Sequence, residues 1–190
     1  MTQEIKKFES LLGTAGFSDV MLTNHFSLYE GYVKNVNIFL DLSKTLKVGS
    51  PEYNELRRRF SWEWNGMVLH ELYFENMSKE AGTLNMESDL YKKISTAFGS
   101  YENWLADFKA LGLMRGIGWA VLVKDKSAGA LMNIWIGEHN TGLLAGTEIL
   151  LIMDVWEHAY MTDYGIKRAD YIDKFIEIIN WSVVENRLLA

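Results

Sequence analysis

The stretch TEILLIMDVWEHAY, residues 147–160, decides how this chain folds. Its first part, TEILLIMD, is rich in aliphatic and β-branched residues, as is typical of a buried strand. Asp154, Glu157 and His158 then follow within an aromatic and apolar run. Because an ionised carboxylate in apolar surroundings is costly unless something compensates it, this pattern predicts a strong partner for the charge.

Two further β-rich runs precede this strand. GWAVLVKD (118–125) and ALMNIWIG (130–137) are joined by the turn KSAG, so the three runs predict a small antiparallel sheet. Short helices are predicted near 88–97 and 101–111. The segment RADYIDKFIEIINW (168–181) has helical spacing and should cover the sheet, and a last short helix is expected after Asn180.

The first half of the chain has its apolar residues at helical spacing. Gly49, Ser50 and Pro51 interrupt this pattern, so two long helices are predicted, the second running from Pro51 to about Asn76. The sequence therefore predicts an α+β fold. A long α-helical hairpin forms an N-terminal domain, residues 1–86, and an α/β domain with a three-stranded antiparallel sheet follows, residues 87–190.

The composition narrows the class of function. The chain of 190 residues has a net charge of −6 and no basic stripe beyond RRRF at 57–60, which argues against a nucleic-acid partner. It contains no cysteine, so any metal must be held by nitrogen and oxygen atoms. No window approaches the roughly 18 apolar residues of a membrane span, and the N-terminus lacks a secretory signal pattern. We therefore expect a soluble, cytoplasmic protein.

The histidines all lie in apolar or aromatic surroundings. His25 and His70 lie on the two long helices, which a hairpin would bring together, and His158 follows Asp154 by four residues. Three imidazoles and one carboxylate form a donor set suited to iron, manganese or zinc, with the site between the two halves of the chain. A single histidine on an apolar helix face is more often a hydrogen-bonded core residue, and spacing alone leaves both interpretations open.

The segment DVWEHAY (154–160) resembles the signature of the iron/manganese superoxide dismutases. The similarity extends through FGSYENWLADF, GWAVLVKD and FIEIINWSVVENRL, and more loosely through GYVKNVN and WNGMVLHELYFENM. This resemblance implies one Fe or Mn ion held between the two domains by His25, His70, Asp154 and His158. It also implies superoxide as the substrate, oxygen and hydrogen peroxide as the products, and a homodimer.

The family's pattern is altered in NHFSLYEGY (24–32), which is one residue shorter than usual. Without a gap Asn24 would take the ligand position, whereas a one-residue deletion places His25 there. We prefer the deletion, because the loss of one residue can remove a π-bulge without disturbing either end of a helix. Tyr29 then takes the position of a second histidine of the family. In the family that histidine contacts a tyrosine of the partner subunit, and this chain has Met161 at the position of that tyrosine. Tyr32 remains the gateway residue at the substrate funnel.

The resemblance also implies a group that hydrogen-bonds the solvent on the metal. Typical iron forms have a glutamine four residues before the ligand of the second helix, where this chain has Gly66. Typical manganese forms have a glutamine just beyond the second strand, where this chain has His139. We therefore predict that His139 is the catalytic hydrogen-bonding residue, acting through one ring nitrogen.

Other residues of the motif also have counterparts in the family. Glu157 resembles the glutamate that bonds the ligand imidazole of the other subunit, so it is the predicted dimer bridge. Trp119, Trp156 and Tyr160 are expected to form the wall of the metal pocket, a role that overlaps with that of an aromatic core.

The function favoured by these residues is that of a superoxide dismutase with a redox-cycling metal. The alternative is a catalytically weak or inactive metal-binding protein of the same fold, which the shortened first-helix motif and Tyr29 would support. Zinc-dependent hydrolysis ranks last, since no general base is evident beside an open site. Superoxide and the protein are both negatively charged, so attraction requires a local cation, for which Lys34 and Arg168 are candidates.

Overall fold

The computed structural model describes residues 2–189, and two long helices dominate its first half. Helices α1 (Asp19–Thr45) and α2 (Pro51–Glu75) pack against each other as a hairpin. The Ser18 and Ser50 hydroxyls cap their first turns, accepting hydrogen bonds from backbone N–H groups, and Pro51 opens α2. The predicted hairpin is confirmed, with the second helix ending one residue before Asn76.

The second half contains short helices around one sheet. Its elements are α3 (Asp89–Phe98), α4 (Tyr101–Gly112), β1 (Gly118–Asp125), β2 (Leu131–Gly137), β3 (Thr147–Asp154), α5 (Met161–Tyr164), α6 (Arg168–Glu177) and α7 (Trp181–Leu189). The α+β class and the three strands are confirmed. The sequence did not predict α5. Helix α6 ends at Glu177, before Ile179 pairs with Met77 in an isolated bridge, so it is shorter than the helical spacing over 168–181 indicated. The division at residue 86 stays a prediction.

The sheet is antiparallel with the strand order β2-β1-β3. Strand β1 lies in the centre and is buried over most of its length. At one end of the sheet its register pairs Trp119 with Asp154 of β3 and with Ile136 of β2. A Cβ atom at Gly118 would fall 2.0 Å from the Ile136 carbonyl oxygen, so this close pairing requires glycine. The register therefore places Trp119, Asp154 and the loop after β2 at the same end.

Direct bonds join this end of the sheet to the hairpin. The fully buried Asn76, which follows α2, donates to the Ile152 carbonyl oxygen of β3 (2.6 Å) and accepts a bond from Arg187 (2.6 Å). The Asp163 carboxylate accepts bonds from the backbone and the hydroxyl of Ser18 (2.7 and 2.6 Å), where α1 begins. Both long helices are thus tied to the segment around Asp154. Within residues 2–189, no helix has the length and apolar character needed to cross a membrane.

Candidate metal centre

Four side chains from four different elements meet where the hairpin contacts the sheet. They come from α1, α2, the last residue of β3 and the 3-10 turn Glu157–Ala159: His25, His70, Asp154 and His158. One nitrogen or oxygen atom from each lies within 4.8 Å of all the others. The structure therefore brings together all four residues that the sequence proposed as metal ligands.

The Asp154 carboxylate is the centre of this cluster. Its Oδ2 atom lies 3.2 Å from Nε2 of His25, 3.2 Å from Nε2 of His158 and 3.6 Å from Nε2 of His70. Asp154 and His70 are fully buried, and His25 is 2% exposed. Within the described part of the chain, Nε2 of His25 and of His70 has no partner with hydrogen-bond geometry. Two buried nitrogens left unpaired beside a carboxylate fit a bound cation, because such atoms are costly unless they are satisfied.

Hydrogen bonds outside the cluster orient two of these side chains. His70 donates from Nδ1 to the Gly66 carbonyl oxygen (2.5 Å), which leaves Nε2 without a proton and turned towards Asp154. The other carboxylate oxygen of Asp154 accepts a bond from the backbone N–H of Trp156 (2.8 Å), and the Tyr171 hydroxyl donates to the Asp154 carbonyl oxygen (2.6 Å). Such outer bonds fix the tautomer and the direction of metal ligands.

The electrostatics of the cluster also suit a cation. Burial lowers the pKa of His25 and lowers the pKa of His70 still further, so both imidazoles are neutral near pH 7. Burial alone would raise the pKa of Asp154, but the neighbouring His158 and His25 outweigh it and hold that pKa below its usual value. Three imidazoles that bind through neutral nitrogens, together with one carboxylate, would give a bound ion a donor set of net charge −1, which suits a divalent or trivalent ion.

The altered stretch of the first helix has a regular geometry. Helix α1 is α-helical from Asp19 to Thr45, His25 faces the cluster, and Asn24 lies exposed on the surface. This regular helix presents His25, and not Asn24, to the site; the one-residue deletion stays the predicted register.

A chain of hydrogen bonds runs beside the cluster. The Trp119 indole donates from Nε1 to Nδ1 of His139 (3.2 Å), and Nε2 of the same ring lies 2.7 Å from the Tyr32 hydroxyl. Since Nδ1 accepts, the proton of the neutral ring is on Nε2 and is donated to Tyr32. His139 is fully buried, and burial is the main reason that its pKa is lowered to about 4. The Tyr32 hydroxyl keeps its own proton free to donate.

The loop that carries His139 closes on itself. Gly137 and Thr141 exchange backbone hydrogen bonds (2.7 and 3.1 Å), so residues 138–140 form a tight turn just beyond β2. Glu138 adopts a left-handed conformation with φ of 51°. Asn65 of α2 donates to the His139 carbonyl oxygen (3.0 Å). These contacts turn the ring inwards while its neighbours Glu138 and Asn140 remain exposed.

Aromatic rings surround the cluster. Trp119 meets the His70 ring edge-on at 4.9 Å, and Trp156 stacks on His139 at 4.8 Å and on His158 at 5.7 Å. Both tryptophans therefore lie against rings in or beside the cluster. Tyr160 is different, because its ring stacks on Tyr171 at 5.6 Å, and it is Tyr171 that reaches Asp154. Tyr160 thus lies one side chain behind the wall that it was expected to form.

Tyr29 also lies one layer away from the cluster. Its hydroxyl accepts a bond from the Lys6 backbone N–H (3.0 Å) and donates to Glu71 (3.0 Å), so it points towards the N-terminal segment. Its ring packs on Phe74 at 6.1 Å, and Phe74 in turn packs on the His25 ring at 4.9 Å. Phe74 therefore lies between the Tyr29 ring and the His25 ring.

The predicted bridging residues lie on an open face. Glu157 is exposed, and the neighbouring His158 side chain is 27% exposed, which makes it the most accessible member of the cluster. Met161, at the place of the family's tyrosine, is 47% exposed.

Three residues that contact the site were not predicted from the sequence. Trp62 packs on His139 at 4.8 Å and on Trp156 at 5.9 Å, while Asn65 and Tyr171 form the hydrogen bonds described above. The spacing of Trp62, Gly66 and His70, each four residues after the last, places them on one face of α2 and was the signal available for Trp62.

Comparison with known proteins agrees with this geometry. Residues 86–187 match the model of the C-terminal domain of iron/manganese superoxide dismutases. The chain is 35% identical to superoxide dismutase [Mn] 2 of Haloferax volcanii, over 85% of this chain and 81% of that protein. It is 35% identical to superoxide dismutase [Fe] of Cupriavidus metallidurans (92% and 90% covered) and 37% identical to superoxide dismutase [Fe] of Aquifex pyrophilus (90% and 84% covered). Since these similarities extend over most of both sequences, the chain belongs to the iron/manganese superoxide dismutase family.

Proposed function

We propose that the protein catalyses the dismutation of superoxide with one iron or manganese ion held by His25, His70, Asp154 and His158. The observation that carries this proposal is the pair of buried, unpartnered Nε2 atoms of His25 and His70 beside the Asp154 carboxylate. A bound iron or manganese ion would supply one-electron transfer in both directions, so that one superoxide is oxidised to oxygen and a second, with two protons, is reduced to hydrogen peroxide.

Tyr32 and His139 provide the proton chemistry. Because Trp119 donates to Nδ1 of His139, the ring donates from Nε2 to the Tyr32 hydroxyl, which can then donate its proton towards the centre. Burial, with the nearby Asp154 charge, raises the pKa of Tyr32, so the phenol stays protonated at neutral pH. These two residues therefore form an ordered donor chain beside the ligands, with the Tyr32 ring stacked on His70 at 5.2 Å.

The aromatic wall supports the same reaction by excluding water. Trp119 and Trp156 cover His70, His139 and His158 with apolar ring surface, leaving few polar groups to compete for a small anion. In such a poorly hydrated site, the hydrogen bond from Tyr32 is stronger than it would be in open solvent.

The choice between iron and manganese is left open by this proposal. Relatives named for each metal resemble the chain to a similar degree. Gly66 and His139 replace the two glutamine positions that usually separate the forms. Zinc would fit the same donor atoms, but it cannot cycle between two oxidation states.

We also propose that the protein acts as a homodimer in which Glu157 bonds His158 of the partner subunit. The exposed Glu157 next to the partly exposed His158 supports this arrangement, since the face is open in the single chain. A carboxylate there would fix the tautomer of the His158 ring. The cytoplasm stays the predicted compartment.

The alternative of a catalytically inactive metal-binding protein is not favoured, because Tyr32 and His139 remain in place beside the cluster. The deciding experiment loads metal-free protein separately with iron, manganese and zinc, and measures bound metal and dismutase activity together. We expect one ion per chain in each case, with activity for iron, manganese or both and none for zinc. Stoichiometric iron and manganese without activity would leave the inactive alternative as the function.

A further inference from the structure

The charge of the protein raises a question about substrate capture. The net charge is −6 and superoxide is an anion, so the overall field of the molecule opposes approach. A cation close to the site would reverse this effect locally. The inference below rests on the proposed function, because superoxide is the anion concerned.

The two cations that the sequence suggested do not serve this role. Arg168 is bound to the backbone after α4, where it donates to the carbonyl oxygens of Met114 (2.7 Å) and Gly116 (3.1 Å). Lys34 lies nine residues after His25 on α1, which places it on the opposite face of the helix. It shares that face with the carboxylates of Glu30 and Asp41.

Arg59 of α2 lies in a different position, over the aromatic wall. Its guanidinium carbon is 4.1 Å from the centre of the Trp62 ring, and that ring is 4.8 Å from His139. The Arg59 side chain is 43% exposed. A planar guanidinium held on an aromatic face keeps its charge in a fixed place with little loss of hydration.

The counter-ion of Arg59 lies on the inner side of this cation. Glu63, one turn later on α2, has an 8% exposed side chain, and one of its oxygens is 3.6 Å from Nε of Arg59. The other oxygen accepts a bond from Asn35 of α1 (3.1 Å). The carboxylate is thus held between the two helices while the guanidinium faces solvent, so an approaching anion meets the positive end of the pair first.

The Arg59 charge also reaches the groups that donate protons. Burial is the main reason that the pKa of His139 is lowered, and the Arg59 charge lowers that pKa further. Burial raises the pKa of Tyr32, and the Arg59 charge partly offsets this rise. Both effects have the sign expected of a cation near the donor chain.

We propose that Arg59, stacked on Trp62, attracts the superoxide anion to the side of the site that Trp62 covers and directs it towards Tyr32 and His139. Glu63 holds the guanidinium in place and limits the strength of its field. The role belongs to substrate capture, so it affects the second-order rate and the affinity for small anions more than turnover of bound substrate.

The test compares Arg59→Gln with Arg58→Gln in the metal-loaded protein. Arg58 is its neighbour on the same helix, is 74% exposed and pairs with Glu55, so the control removes the same charge from a position away from Trp62. We expect Arg59→Gln to lower kcat/KM about threefold at low ionic strength and to flatten its dependence on salt. Arg58→Gln should change kcat/KM and its salt dependence much less. Arg59→Lys should keep most of the wild-type kcat/KM because lysine keeps the positive charge.

A second measurement does not depend on turnover. Titration of the metal-loaded protein with azide, followed by its absorbance spectrum, should show weaker binding for Arg59→Gln and stronger binding for Glu63→Gln, whose amide can still accept the bond from Asn35. Equal azide affinity in Arg59→Gln and Arg58→Gln, or weaker binding in Glu63→Gln, would overturn the inference. If the wild-type protein binds metal and azide but lacks dismutase activity, the proposed function fails while the azide comparison still decides the role of Arg59.

Discussion

The ring of Tyr32 lies against the backbone of Gly66, so that a Cβ atom at residue 66 would fall 2.6 Å from two of its ring carbons. This contact leaves no room for a side chain on α2 at the place where typical iron forms carry a glutamine. The hydrogen-bonding residue must therefore come from another element, and His139 on the loop after β2 reaches the Tyr32 hydroxyl instead.

Gly66→Ala should move the Tyr32 ring. Alanine raises helix propensity by about 1 kcal/mol, but crowding a packed site costs about 1 to 3 kcal/mol. We expect unchanged or lower stability in urea, together with lower activity at full metal content. Gly31→Ala is the matched control, since a Cβ on α1 at residue 31 has no atom within 4 Å and should stabilise the protein. Equal stabilisation by both changes would contradict the close contact.

His25→Ala should abolish stoichiometric metal binding, because one of the four donor atoms is lost and Asp154 then lies beside an apolar side chain. Asn24→Ala should bind metal normally, since Asn24 is exposed on α1. Elemental analysis after loading and dialysis measures both. Metal loss in Asn24→Ala with retention in His25→Ala would reverse the register of the first helix.

Trp119→Phe should lower activity roughly tenfold or more while metal content stays complete. The change removes the donor that fixes the proton of His139 on Nε2, so the ring no longer donates reliably to Tyr32. Trp181→Phe is a suitable control, because this buried tryptophan of α7 packs on Tyr101 and Trp104, away from the cluster. An equal loss of activity in both variants would point to general packing rather than to the hydrogen bond.

The stability of the metal-free protein should fall as the pH drops from about 6.5 towards 4. The pKa of His139 is about 4 in the folded protein, below its ordinary value of 6.5, so in this range the unfolded chain binds a proton that the folded protein does not. The His139 ring lowers the free energy of unfolding by at most about 1.4 kcal/mol per pH unit. Asp154 adds little above about pH 5, because its pKa is lowered in the folded protein and lies near 3.9 when unfolded; closer to pH 4 it adds to the loss in the same direction.

Urea unfolding at several pH values measures this dependence. His139→Gln should have a shallower slope than the wild-type protein between pH 6.5 and 4, whereas His25 and His70 contribute in the same direction to both proteins. Parallel curves would mean that His139 does not remain neutral in the folded state.

Glu157→Ala should weaken subunit association, because it removes the proposed bond to His158 of the partner subunit. Sedimentation at several protein concentrations measures the change, and we expect dissociation to begin at a higher concentration than for the wild-type protein. Glu80→Ala, a change at another exposed glutamate, should leave association unaffected. Unchanged association in Glu157→Ala would remove this residue from the interface.

The outline of the fold and the composition of the centre were accessible from the sequence for physical reasons. His25 and His70 lie at helical spacing among apolar residues, and Asp154 ends an aliphatic strand. Each of these local patterns predicts that the residue is buried. Four convergent polar groups in apolar surroundings suggest a common partner. The motif around His158 added the family resemblance.

The details that the sequence missed depend on where long side chains reach. Tyr29 shares a helix face with His25 by spacing, yet its hydroxyl reaches the backbone of Lys6, because the N-terminal segment passes there. Trp62 resembles an ordinary core residue until the loop carrying His139 is placed against it. Tyr160 follows the 3-10 turn Glu157–Ala159, and its ring stacks on Tyr171. Contacts of this kind are set by tertiary structure, and the spacing of Trp62 from Gly66 and His70 was the one local signal for them.

The four donor atoms belong to three parts of the chain that are far apart in sequence: α1, α2, and the end of β3 with the turn after it. A bound ion would therefore act as a cross-link that closes most of the polypeptide into one loop. Metal uptake should then raise the melting temperature and slow unfolding, even for an ion such as zinc that supports no electron transfer. In this molecule, stability against unfolding and redox chemistry are separable properties of the same four side chains.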